Sequence, residues 1–220
     1  MKTRIALLSI SILVYVTVKY FVPYGVLLLY PLILLVTFFH EFGHALFALL
    51  TGGTVHGIQI NPNGSGFAQI SGGITPLVAM GGYVGSAILG NLLLYMGLAN
   101  KRYARGVPWV LSAVLLFTAV IWFRQLFTSA ILCVFAVGLI WLARKRSKWI
   151  APVLAFLGST SVLYIVEDFN HGPKSDLAVF SKQIPLLPPT GWAVIWLVIV
   201  LVITWGTLRR AFRERRSSES

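Results

Sequence analysis

The chain has 220 residues, of which 57% are hydrophobic and only 11% charged, and its mean hydropathy is +0.83. That excludes an ordinary soluble domain, where roughly a quarter of residues carry charge. The formal net charge of +12 does not point to nucleic acid either. The basic residues stand in short runs beside apolar segments, at Lys101-Arg102 with Arg105, Arg144-Lys145-Arg146 with Lys148, and Arg209 through Arg216, the pattern of cytoplasmic loops facing anionic lipid headgroups.

In chain order, Met1-Lys2-Thr3-Arg4 and the apolar run behind it look like a signal peptide, but Lys19-Tyr20-Phe21 stands where small residues would mark cleavage. The stretch therefore reads as a retained membrane helix over about residues 5–20. A Val22-Pro23-Tyr24-Gly25 turn separates it from a second apolar segment, about 26–50, that closes on Gly52-Gly53, a left-handed helix cap. Residues 54–73 contain no charged side chain. Their Asn63-Gly64 pair, flanked by strand-like runs, predicts a small β-hairpin at the membrane surface. A third span covers about 76–98. Residues 108–143 are too long for one crossing, and Arg124-Gln125 in their middle predicts a tight hairpin of two helices. Further spans follow over about 150–166 and 192–208. Between them, residues 167–189 hold Glu167, Asp168, Lys174 and Asp176. Cys133, the one cysteine, cannot form an intrachain disulfide.

The expected fold class is an all-α polytopic membrane protein with about six to seven transmembrane helices and that hairpin after the second apolar segment. Residues 1–208 make one transmembrane domain and residues 209–220 a basic polar tail. With seven spans, an outer N-terminus and a cytoplasmic C-terminus, most lysines and arginines fall inside, as the positive-inside rule asks. Lys2 and Arg4 oppose that orientation.

The second apolar segment contains His40-Glu41-Phe42-Gly43-His44. Residues four apart share a helix face, so two imidazoles address one point. Tetrahedral zinc accepts neutral imidazole at about 2.0–2.1 Å, and a catalytic zinc takes three protein ligands and a water. Glu41 lies beside the first imidazole, where a general base can reach a zinc-bound water. An ionisable cluster inside such an apolar run is expensive and marks function. The residues alone leave the third ligand open. Asp176 suits a zinc carboxylate or a first-turn acid before Leu177-Ala178-Val179-Phe180. Asp168 is the rival, and His171 is a further ligand or transition-state donor. Asn91 either hydrogen-bonds near the site or bridges two helices. Gly81 and Gly85 form a pair suited to close helix packing.

Together these segments resemble the site-2 protease family of intramembrane zinc metalloproteases, in particular its short bacterial B-type branch. The resemblance runs over about residues 38–196. It rests on the zinc helix at His40 to His44, on Ala79-Met80-Gly81-Gly82-Tyr83-Val84-Gly85, and on Lys174-Ser175-Asp176-Leu177-Ala178 with Ile184-Pro185 and Trp192. It implies His40, His44 and Asp176 as zinc ligands and Glu41 as the catalytic base. It further implies a membrane-embedded or membrane-proximal protein substrate and a multi-pass location in a bacterial cell membrane. The chain departs from the family in lacking a Leu-Asp-Gly ligand motif and in having Gly85-Ser86 and Arg124-Gln125 where members often have Gly-Pro and Arg-Asn. The other reading is a zinc-binding membrane protein that transports metal or holds helical clients without cleaving them.

Overall fold

A long apolar segment can satisfy its backbone in a bilayer as a helix, and this chain forms eleven among the described residues of a computed structural model: 2–99, 101–167, 172 and 175–213. They are α1 Lys2–Phe21, α2 Gly25–Leu28, α3 Tyr30–Leu50, α4 Thr75–Met80, α5 Ser86–Ala99, α6 Lys101–Ala104, α7 Val107–Ile121, α8 Leu126–Lys145, α9 Ile150–Glu167, α10 Asp176–Gln183 and α11 Pro189–Arg213. Six apolar helical stretches are long enough to cross a membrane, α4 and α5 counting as one through the π-helical turn Gly81–Gly85 between them. The expected helical pair over residues 108–143 is α7 and α8, and α7 is the shorter apolar helix. The apolar segment expected at 26–50 is interrupted at Leu29, which separates α2 from α3.

Glycine faces bring the helices together. A Cβ on Gly43 of α3 would run into the carbonyl oxygen of Gly81, and one on Gly85 would stand 2.9 Å from the Cα of Gly43. Along α5, Gly90 faces Ser161 and Val162 while Gly97 faces Ala155, so α5 and α9 pack antiparallel. Small residues allow this backbone approach where no water drives helices together. At the far end of α9, Glu167 accepts hydrogen bonds from Tyr15 (2.9 Å) and Tyr20 (3.0 Å) and pairs with Lys19, tying α1 to α9.

The two strands, β1 Thr54–Ile60 and β2 Gly66–Ser71, pair antiparallel with Ile60 opposite Gly66 and Ile58 opposite Ala68. Gly64 closes the turn at φ +87°, a conformation that glycine adopts without strain. The hairpin folds back along α3, so that the Tyr30 hydroxyl donates to the Pro62 carbonyl at 2.5 Å and the Thr37 hydroxyl to the Gly64 carbonyl at 2.7 Å. Non-helical backbone is tolerated at membrane depth when its polar groups find protein partners. The outer edge of β1 has them: Ile58 N–H donates to the Trp122 carbonyl (3.2 Å), Ile60 N–H to the Thr128 hydroxyl (2.9 Å), and the Gln125 amide to the Ile60 carbonyl (2.6 Å).

The expected orientation with termini on opposite sides is not the one that forms. Arg4 donates to the Ala99 carbonyl at 2.9 Å and also to the Ala211 carbonyl, which gathers the start of α1 and the ends of α5 and α11 at one end of the bundle. A guanidinium there meets the negative ends of two helix dipoles. Arg4 thus joins the end that carries the basic runs instead of opposing it.

Candidate metal centre

One turn of α3 brings the His40 and His44 Nε2 atoms to 3.1 Å from each other. The Asp176 Oδ2 atom lies 3.0 Å from the first and 3.3 Å from the second. The three side chains offer ligand atoms within 4.8 Å of one another. With metal–ligand bonds of about 2.0–2.1 Å, the edge of a zinc tetrahedron is about 3.3 Å, so these separations fit the donor set around one ion. Two imidazole nitrogens and a carboxylate oxygen are also donors that zinc accepts.

The surroundings orient each donor. His44 Nδ1 lies 2.7 Å from the Val78 carbonyl. A proton held there by that acceptor leaves a lone pair on Nε2, facing the other donors. The Tyr83 ring meets His40 edge-on with centroids 4.9 Å apart, and Tyr83 itself packs on Trp196. The backbone of Gly82 passes so close that a Cβ would stand 2.5 Å from His44 Nε2 and 2.6 Å from His40 Nε2. The π-helical turn at Gly81–Gly85 is what sets that residue against the cluster, and such bulges recur at functional sites.

Asp176 opens α10, and the cap of that helix is its neighbour: the Ser175 hydroxyl accepts from the Ala178 N–H at 3.2 Å. With the cap filled by Ser175, the Asp176 carboxylate is free to turn to the imidazoles. Phe180 anchors α10 edge-on to Trp192 and Trp196, at 4.8 and 5.1 Å.

Glu41 is buried on the neighbouring face of α3, and strand β2 lies over it. A Cβ on Gly66 would meet the Glu41 Oε1 atom at 2.5 Å, and the backbone of Ala68 hydrogen-bonds the carboxylate. Because Ile58 and Ile60 direct their backbone groups away from the hairpin, antiparallel alternation turns those of Gly66 and Ala68 outward on the opposite edge. That edge, the two histidines, Glu41 and Asp176 line a cleft of about 590 Å³.

The structure therefore brings together four of the residues singled out in the sequence, His40, Glu41, His44 and Asp176. Asn91 is not among the residues lining the cleft. It donates to the Ala87 carbonyl (2.9 Å) and the Thr204 hydroxyl (3.0 Å), bridging α5 to α11. Asp168 and His171 lie outside the described residues. Ser175, Gly82 and Gly66 were not anticipated in these places. Only Ser175 had a local signal, a hydroxyl residue just before a helical apolar pattern.

A family model described as Peptidase M50B-like matches residues 7–207 of the chain. No curated protein and no solved structure matches it.

Proposed function

The chain belongs to the Peptidase M50B-like family, the site-2 protease group that its motifs resemble, and from that premise we propose that it is an intramembrane zinc metallopeptidase acting on membrane protein substrates. The observation that carries this reading is the meeting of His40, His44 and Asp176 beside a buried carboxylate, Glu41, in one cleft. When bound there, zinc polarises a carbonyl and lowers the pKa of a water ligand to about 7. Glu41 is the general base: it takes the proton of the attacking water as the carbon–oxygen bond forms, then returns it to the amine nitrogen as the carbon–nitrogen bond breaks. Ala68 holds one oxygen of that carboxylate in place.

A substrate helix hides its scissile carbonyls in its own hydrogen bonds and has to unwind locally. The Gly66 N–H and the outward carbonyls of Gly66 and Ala68, whose own N–H is held by Glu41, offer an edge to which such an unwound segment adds as a third strand. The strand then lies beside Glu41, with the carbonyl to be attacked next to the cluster.

The test is cleavage of a single-span substrate in reconstituted membranes. Glu41→Gln is expected to lower the rate by about 10²–10⁴-fold while metal content stays that of the wild type, and chelation of the wild type is expected to abolish cleavage until zinc is restored. Undiminished cleavage by the Gln variant overturns the assignment of the base. A wild-type protein that holds zinc and cleaves no such substrate supports the transport or client-holding reading instead.

A further inference from the structure

The third donor of the metal centre comes from a short helix. α10 has eight residues, Asp176–Gln183, too few to be stable without tertiary packing. Its place is therefore set by what it packs on, which is α4 and α11. Asp176 and Phe180 are one helix turn apart and share a face. The carboxylate turns to the imidazoles, and the ring of Phe180 meets Trp192 and Trp196 of α11. The indole N–H of Trp192 also donates to the Ile184 carbonyl at the end of α10, at 3.2 Å.

Trp196 does more than receive Phe180. Among the described residues it is the largest fully buried side chain, 1% exposed. Its ring lies edge-on to that of Phe180, with centroids 5.1 Å apart, and 5.8 Å from that of Tyr83. Tyr83 in turn stands edge-on to His40 at 4.9 Å. A continuous run of rings thus leads from His40 through Tyr83, Trp196 and Phe180 to the helix that carries Asp176, a residue 136 positions from His40 in sequence. The three intermediate rings are all buried. Aromatic contacts favour particular angles as well as distances, and a close-packed interior passes a displacement on to its neighbours. A change at Trp196 therefore reaches both halves of the donor set.

We propose that Trp196 is a positioning residue of the metal centre, which holds the Asp176 carboxylate in register with the two imidazoles by packing at once on Phe180 and on Tyr83. The proposal rests on His40, His44 and Asp176 sharing one metal ion, and not on the reaction that the ion serves.

The experiment titrates the purified full chain with cobalt(II), whose visible spectrum reports coordination geometry. Trp196→Leu is expected to weaken cobalt binding by about tenfold or more and to move the spectrum to that of Asp176→Ala, as the carboxylate leaves the donor set. Trp196→Phe keeps a ring against both neighbours and is expected to restore the wild-type spectrum and most of the affinity. Phe180→Leu makes the same test from α10 should Trp196→Leu not fold. In the double variant the two losses are expected not to add, because they break one contact. Val200→Ala opens a cavity one turn further along α11; it is expected to lower the melting temperature and leave cobalt binding unchanged. An equal loss of affinity in Val200→Ala would mean that any loosening of α11 releases the metal, and would overturn the proposal. A wild type that takes up no cobalt would overturn the metal centre and the proposal with it. A wild type that binds cobalt, with Trp196→Leu matching its affinity and spectrum, would overturn the proposal alone.

Discussion

Gly82 shows how closely the cluster depends on a missing side chain. A methyl group there would meet both Nε2 atoms at 2.5–2.6 Å, and neither imidazole can retreat without leaving Asp176. Gly82→Ala is accordingly expected to lower metal affinity by about 10–100-fold, the scale of losses when the support around a metal ligand is disturbed, as read by metal analysis of the purified protein. Gly138→Ala is the control, since a Cβ at Gly138 has nothing within 4 Å, and it is expected to keep its metal. The two histidines and Glu41 were legible in the sequence because a spacing of four residues is a property of one helix turn. Asp176 was legible as a candidate only, since a first-turn acid and a ligand look alike until the cap is assigned to Ser175. Gly82 was not legible, because its role is defined by what lies across from it.

At the scale of elements, the hairpin is the part whose existence was readable and whose placement was not. Asn63-Gly64 announces the turn, and Gly64 does take up the left-handed conformation. That the hairpin runs back along α3 depends on partners distant in sequence, the hydroxyls of Tyr30 and Thr37 on one side and Trp122, Gln125 and Thr128 on the other. The same packing explains Arg124, a cation between two apolar helices, whose aliphatic stem lies over Gly57. Ala68→Pro removes the amide that holds the buried Glu41 carboxylate. Cleavage is expected to fall by about tenfold or more, through that lost hydrogen bond, while metal content stays near that of the wild type. Undiminished cleavage by this variant would remove the Ala68 amide from the mechanism.

On the scale of the whole molecule, the contact of Arg4 with the Ala99 and Ala211 carbonyls sets the orientation. Because α5 and α9 are antiparallel, the turn from α8 into α9 lies at that same end, so the basic residues at 105, 144–148 and 209–213 gather with Arg4. The positive-inside rule predicts that this end is cytoplasmic, and reporter fusions at the N-terminus and after Arg213 are both expected to report a cytoplasmic location. An even number of spans puts both termini on one side, and six helices are long and apolar enough to cross a membrane, the lower of the two counts that the sequence allowed. Apolar length, helix spacing and turn residues are local properties, so the sequence by itself determined the membrane class, the approximate spans, the hairpin and the pair of histidines with their glutamate. The arrival of Asp176 at a histidine 136 residues away, the lie of β2 over Glu41 and the gathering of the cations at one end were decided only by the tertiary structure. Each depends on how glycine faces and distant polar partners let one helix approach another, and a single chain does not record those approaches as local pattern.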